Sequence, residues 1–209
     1  MPSPCTLVGD LYYKRCLSTY NLSFYSLGDN KRTCFVWDET NGARGYCEIG
    51  SCLLMHINSV SEKNTNVREI TYYSDTCSGQ NRNQYVSSAL LYAVNKVDNI
   101  DAINHKFLEK GHSEMESDSI HAAVEFAKKR TKIYVPSQWD TVIAMTRKTN
   151  PYLVVPVKYT DFYDLKEFCV CYCKNMKKET NGEKVNWLKV KWIRVTKSNL
   201  KSIYCKLWI

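Results

Sequence analysis

Glycine and proline supply only 8 and 5 of the 209 residues, too few for a collagen-like or low-complexity chain. No apolar run approaches the roughly 18 residues that a membrane span needs. The opening MPSPCTLVGDLYYKRC lacks the charged-then-apolar order of a secretory signal, so an intracellular protein without a membrane partner is expected. Also missing are an internal repeat, a glycine-rich phosphate loop, a G-x-S-x-G elbow and the H-E-x-x-H pair of a zinc protease. The ten cysteines follow no repeating framework, which favours reduced thiols over disulfides. Cys169-x-Cys171-x-Cys173 lacks the paired spacing of a zinc ribbon, and the glycosylation-type triplet Asn21-Leu22-Ser23 reads as chance.

What is present describes a packed domain: 44% hydrophobic, 12% aromatic and 24% charged residues exclude a disordered or coiled-coil chain. At this length one core with an appendage is expected rather than two equal domains. Twenty-nine Lys and Arg against 21 Asp and Glu leave a net charge of +8. The positive charge gathers late in the chain, as Lys128-Lys129-Arg130, Arg147-Lys148, Lys174, Lys177-Lys178 and then Lys189, Lys191, Arg194 and Lys197, interleaved with Trp187, Trp192 and Tyr204. Cations displace the counterions of a phosphate backbone and flat rings offer stacking surfaces, so Lys128, Lys129, Arg130, Lys189, Lys191 and Trp192 are candidate nucleic-acid contacts. A solvated charged face is the plainer alternative.

Along the chain, Leu22–Phe24 and Cys34–Trp37 flank the turn-like Leu27-Gly28-Asp29-Asn30 and predict a hairpin. Ile49, Cys52, Leu53 and His56 have helical spacing. Val67–Ser74 reads as a buried strand ending at Asp75, and Tyr85–Val94 as a buried helix. If that strand is central, Asp75 occupies the carboxyl end where ligands bind in sheets with helical crossovers; the alternative is a carboxylate that caps the turn. Asp101–Leu108 predicts another strand, and Ser113 with Glu116 a capping box opening a helix to Lys129. Trp139–Arg147 predicts a helix, Tyr152–Val157 and Phe168–Tyr172 strands, and Asn186–Val195 with Ser202–Trp208 a closing hairpin.

At 100° per residue, Glu114, Asp118, His121 and Glu125 fall within about 60° on the helix after Ser113. Crowded carboxylates repel unless a cation or shared protons compensate, and a few carboxylates with waters suffice to hold Mg²⁺. A metal-related stripe and a surface acidic face both remain open. His112 and His121 are candidates for orienting water or donating protons near phosphate, against a structural role for each.

The predicted order of elements is that of a ribonuclease-H-like α/β core without its first strand. Four stretches carry a closer likeness: Phe35-Val36-Trp37-Asp38-Glu39-Thr40, Glu48-Ile49-Gly50-Ser51-Cys52, the run from Tyr73 to Asn83 (YSDTCSGQNRN), and the run from Lys110 to His121 (KGHSEMESDSIH). In these the chain resembles a family of transposase-like, mobile-element-derived proteins of insects and other invertebrates, from about Cys5 to Asp164 and more weakly to Trp192. The resemblance implies an α/β, ribonuclease-H-like (integrase-like) mixed sheet with flanking helices over residues 1–135, followed by a basic, β-rich extension over 136–209. It implies a DDE/D-transposase-like domain that cleaves or transfers nucleic-acid phosphodiesters with Mg²⁺ or Mn²⁺. Asp75 then matches one catalytic acid and Asp118 another, with Glu125 or Glu114 as alternatives and His112 and His121 as auxiliaries. A nucleic-acid partner, DNA above all, and a nuclear location follow from that substrate. Relatives carry a further Asp on a first strand, in a Phe-Asp-Leu-Gln-like segment that would precede Met1. Impaired catalysis is therefore expected, with Asp38 as a possible substitute. A non-catalytic, domesticated nucleic-acid- or protein-binding module is the alternative, and it predicts a basic surface without clustered carboxylates.

Overall fold

A computed structural model describes residues 1–3, 16–109, 115–173 and 176–207. In chain order its elements are β1 (Pro2–Ser3), β2 (Leu17–Tyr25), β3 (Arg32–Asp38), α1 (Tyr46–Lys63), β4 (Glu69–Ser74), α2 (Gln84–Lys96), β5 (Ala102–Phe107), α3 (Glu116–Lys128), α4 (Gln138–Met145), β6 (Leu153–Pro156), α5 (Leu165–Tyr172), β7 (Val190–Thr196) and β8 (Asn199–Leu207). They form a mixed α/β structure with two four-stranded sheets, divided between two compact units: Met1–Ala43 with Glu114–Asp161, and Arg44–Ser113 with Phe162–Ile209.

In the first unit the strand order is β1-β2-β3-β6. The hairpin of β2 and β3 runs in register from Thr19↔Asp38 to Tyr25↔Arg32. Its turn places Asn30 at φ 55, a left-handed conformation that Asn tolerates better than most residues. Strand β6 pairs with β3 in parallel. Cys34 and Val36 of β3 pack with Ile120 and Val124 of α3 and with Trp139, Val142 and Ile143 of α4. Trp139 is fully buried, and its Nε1–H donates to Ser3 Oγ at 2.9 Å, which satisfies the one polar atom of an otherwise apolar side chain.

In the second unit the order is β4-β5-β7-β8, with β4 parallel to β5 and the other pairings antiparallel. Helix α2 presents Val86, Ala89, Leu90, Ala93 and Val94 to the interior. Its N-cap Asn83 accepts from the N–H groups of Tyr85 and Val86, each at 3.0 Å. Helix α1 comes so close to α5 that a Cβ on Gly50 would lie 2.3 Å from Leu165 Cδ1.

Several expectations change. Strand β4 is not a buried central strand: it ends the strand order of its sheet and alternates exposed and half-buried residues. That period of two marks burial on one face only. Phe168–Tyr172 lies in helix α5, because Asp164 caps it by accepting from Lys166 N–H at 2.9 Å and Glu167 N–H at 3.1 Å. The C-terminal strands form no appendage of their own. β7 pairs with β5, and β6 extends the first sheet, so the units interleave along the chain instead of succeeding one another at 135/136. Ser113 lies outside the described residues; within them the helix begins at Glu116, where Met115 N–H donates to Asp118 Oδ2 at 2.9 Å.

Candidate nucleic-acid interface

Residues in register on neighbouring strands share a face of the sheet. In the second unit one face carries Ile70, Tyr72 and Ser74 of β4, Ile103, His105 and Phe107 of β5, and Ile193 and Val195 of β7. These residues are buried or half-buried. Tyr72 Oη lies 2.9 Å from His56 Nδ1 of α1, and burial pushes its phenol well above the usual tyrosine range.

The opposite face is polar, aromatic and basic. One row across the four strands is Tyr73, Lys106, Trp192 and Lys206, and the next is Thr71, Asn104, Arg194 and Tyr204. At about 4.8 Å between strands, each row spans about 14 Å. Tyr73 and Tyr204 are 50% and 53% exposed, and Lys106 Nζ sits 5.5 Å from the Tyr73 ring centre. Lys189 is exposed in a 3-10 turn leading into β7, and Lys191 is half-buried within that strand.

Asn104 organises this face. Its buried amide donates to Glu69 Oε1 at 2.6 Å and to Thr71 Oγ1 at 3.4 Å. Its carbonyl accepts from Trp192 Nε1–H at 3.1 Å and from Arg194 at 2.9 Å. Arg194 also pairs with Glu69 at 2.8 Å. The hydrogen bond from Arg194, then that from Asn104, hold the Glu69 carboxyl below the usual glutamate range. Both donors and both lone pairs of one amide are thus engaged, which fixes the indole and the guanidinium against the strands. With Glu69 already paired to Arg194, Lys106 and Lys206 leave the face positive.

The described acids expected from the sequence each make local contacts. Asp75 follows β4 in the second unit, where its Oδ1 accepts from Cys77 N–H at 3.2 Å and Asn81 Nδ2 at 2.6 Å. It closes its own turn, as a side chain of this kind commonly does. Asp118 belongs to the first unit and caps α3. Glu125 is exposed and pairs with Lys128 at 3.3 Å. His121 is exposed on the same helix, whereas Glu114 and His112 lie outside the described residues. On the same helix Phe126 is 56% exposed beneath Arg130, whose guanidinium carbon is 4.5 Å from the ring centre. Lys129 and Arg130 are exposed at the end of α3. In Asp38, burial raises the carboxyl, but hydrogen bonds from Thr40 and Asn41 outweigh it and leave the group below its usual range. Among the described residues no group of three or more His, Cys, Asp or Glu side chains is placed to hold a metal ion.

Ser74 and His105, at the carboxyl ends of β4 and β5, were not singled out by sequence. Ser74 Oγ lies 2.8 Å from His105 Nε2. Burial pushes the imidazole down to about 4 against the opposing pull of Asp75. A hydroxyl beside a neutral imidazole is the beginning of a nucleophile–base pair, but such pairs need a third group to orient the base. Among the described residues His105 Nδ1 has no hydrogen-bond partner, so within them this pair lacks that group. Tyr73, Asn104, Lys106 and Lys206 also escaped the sequence reading, because the two rows they build combine residues from strands far apart in the chain. The available signal was the alternation within EITYYS, AINHKF and VKWIRVT.

No protein-family model, no curated protein and no solved structure matches this chain.

Proposed function

We propose that the chain is a nucleic-acid-binding module of transposase-like descent, and that the basic, aromatic face of the β4-β5-β7-β8 sheet is its contact surface. The observation that carries this reading is the row Tyr73, Lys106, Trp192 and Lys206, in which rings alternate with cations across four adjacent strands. Cations supply affinity for any phosphate backbone by releasing counterions, and rings add base contacts. Lys189, in the turn before β7, and Lys191, within it, add positive charge at the start of this strand. With DNA as the partner, a nuclear location follows.

A mobility-shift experiment with labelled DNA tests the reading. Binding at about 50 mM salt, weakening steeply toward about 200 mM, is expected. The double variant Lys106→Gln/Lys206→Gln should bind every sequence more weakly to a similar degree. Absence of any shift at the lower salt would refute the reading.

A second reading, phosphodiester cleavage or strand transfer on a ribonuclease-H-like core, draws on the element order β2, β3, α1, β4, α2, β5, α3, with Asp75 directly after β4. It predicts that Mn²⁺ or Mg²⁺ raises the melting temperature of the wild type but not of Asp75→Asn or Asp118→Asn. An identical response in all three removes it.

A further inference from the structure

We infer that the sheet face takes single-stranded nucleic acid, with unpaired bases stacked on Tyr73, Trp192 and Tyr204, in preference to duplex. This inference rests on the binding reading above and names its ligand. The three rings lie on one face of a four-stranded sheet, with Tyr73 and Trp192 two strands apart and Tyr204 diagonal to Trp192 on the neighbouring strand. At about 4.8 Å per strand the first two are about 10 Å apart, and a diagonal pair is about 7–8 Å apart. That spacing admits one base per ring, and sheets with exposed aromatics hold two or three unpaired bases in this manner.

A duplex hides its base faces within the stack, so these rings would offer it nothing. Lys106 and Lys206 alternate with Tyr73 and Trp192 along the row, which places cations where the backbone between stacked bases must pass. The platform is also held in advance. Asn104 anchors the Trp192 indole and the Arg194 guanidinium, so little side-chain freedom remains to be lost on binding. Arg194 pairs in register with Tyr204, while its guanidinium is held toward Asn104 and Glu69. Stacking does not read the sugar, so single-stranded DNA and RNA are both ligands.

The test uses the full chain and a labelled oligothymidine of about 12 nucleotides, the same length of oligouridine, and a thymidine–adenine duplex. The single strands should bind at least about tenfold more tightly than the duplex. Tyr73→Ala and Tyr204→Ala should each weaken single-strand binding by roughly 5- to 150-fold and leave duplex binding unchanged, whereas Tyr73→Phe retains affinity. Both tyrosines are half-exposed, so their truncation leaves the core intact. Equal binding of strand and duplex, unaffected by both truncations, overturns the stacking inference and leaves the binding reading standing. No binding of any probe at low salt overturns both.

Discussion

Replacing Asn104 by Ala removes four hydrogen bonds from one buried position. The amide joins Glu69, Thr71, Trp192 and Arg194, and two of these partners are charged, which makes their bonds the stronger ones. Not all of that is lost on truncation. Arg194 keeps its pair with Glu69 at 2.8 Å, and the half-buried Trp192 can turn its N–H toward water. The expected loss is therefore that of a single buried polar hub, about 1–3 kcal/mol. For a chain of this size that corresponds to roughly 2–4 °C per kcal/mol. Urea unfolding should show a lower midpoint with an unchanged slope, the sign of a stability change without a change in exposed surface. Thr71→Val, which removes only a long, part-buried 3.4 Å bond, should stay within about 0.5 kcal/mol. The idea of a preorganised platform fails if Asn104→Ala also stays within that range.

Other perturbations have expected signs. Gly50→Ala should destabilise by about 1–3 kcal/mol in urea unfolding, because the new methyl meets the fully buried Leu165, which outweighs the helix propensity gained; a stabilised variant would contradict this packing. The folded-state pKa of Glu69 is depressed, so its stabilisation is present above the ordinary glutamate pKa and is lost as pH falls through the depressed value. Glu69→Gln should therefore be less stable than wild type at pH 7, the gap closing in acid; a constant gap would rule out the ion pair as its source. His105 sits at about 4 instead of its usual 6.5, so the unfolded chain takes up that proton first as pH falls. Wild type should lose more stability than His105→Gln between these values, and parallel pH profiles would argue against a buried neutral ring.

Much of the local structure was legible because local periods decide it. The β2–β3 hairpin announced itself through its turn, and α1 and α2 through helical spacing of apolar residues. α5 was misread because Phe168, Val170 and Tyr172 favour strands, while the cap at Asp164 and the i, i+3, i+4 spacing of Leu165, Phe168 and Cys169 went unweighed. Asp75 and Asp118 were legible as candidate carboxylates, but that one closes a turn and the other caps a helix is decided by local geometry that the residue types alone do not encode. The basic C-terminal strands and β5 were each visible as strands, whereas their pairing was not. Pairing of Lys106 with Trp192 is a long-range event that no window of neighbouring residues encodes. The aromatic and cationic residues of the candidate face become one surface only after the strands align.

The most direct test of that surface is the salt dependence of binding to a labelled single strand, measured by fluorescence anisotropy for wild type and for Lys106→Gln/Lys206→Gln. Each phosphate neutralised contributes about −0.7 to the slope of log affinity against log salt on single strands. Engagement of Lys106 and Lys206 predicts a wild-type slope steeper than that of the double variant by about 1.4. Identical slopes for the two proteins would contradict the account.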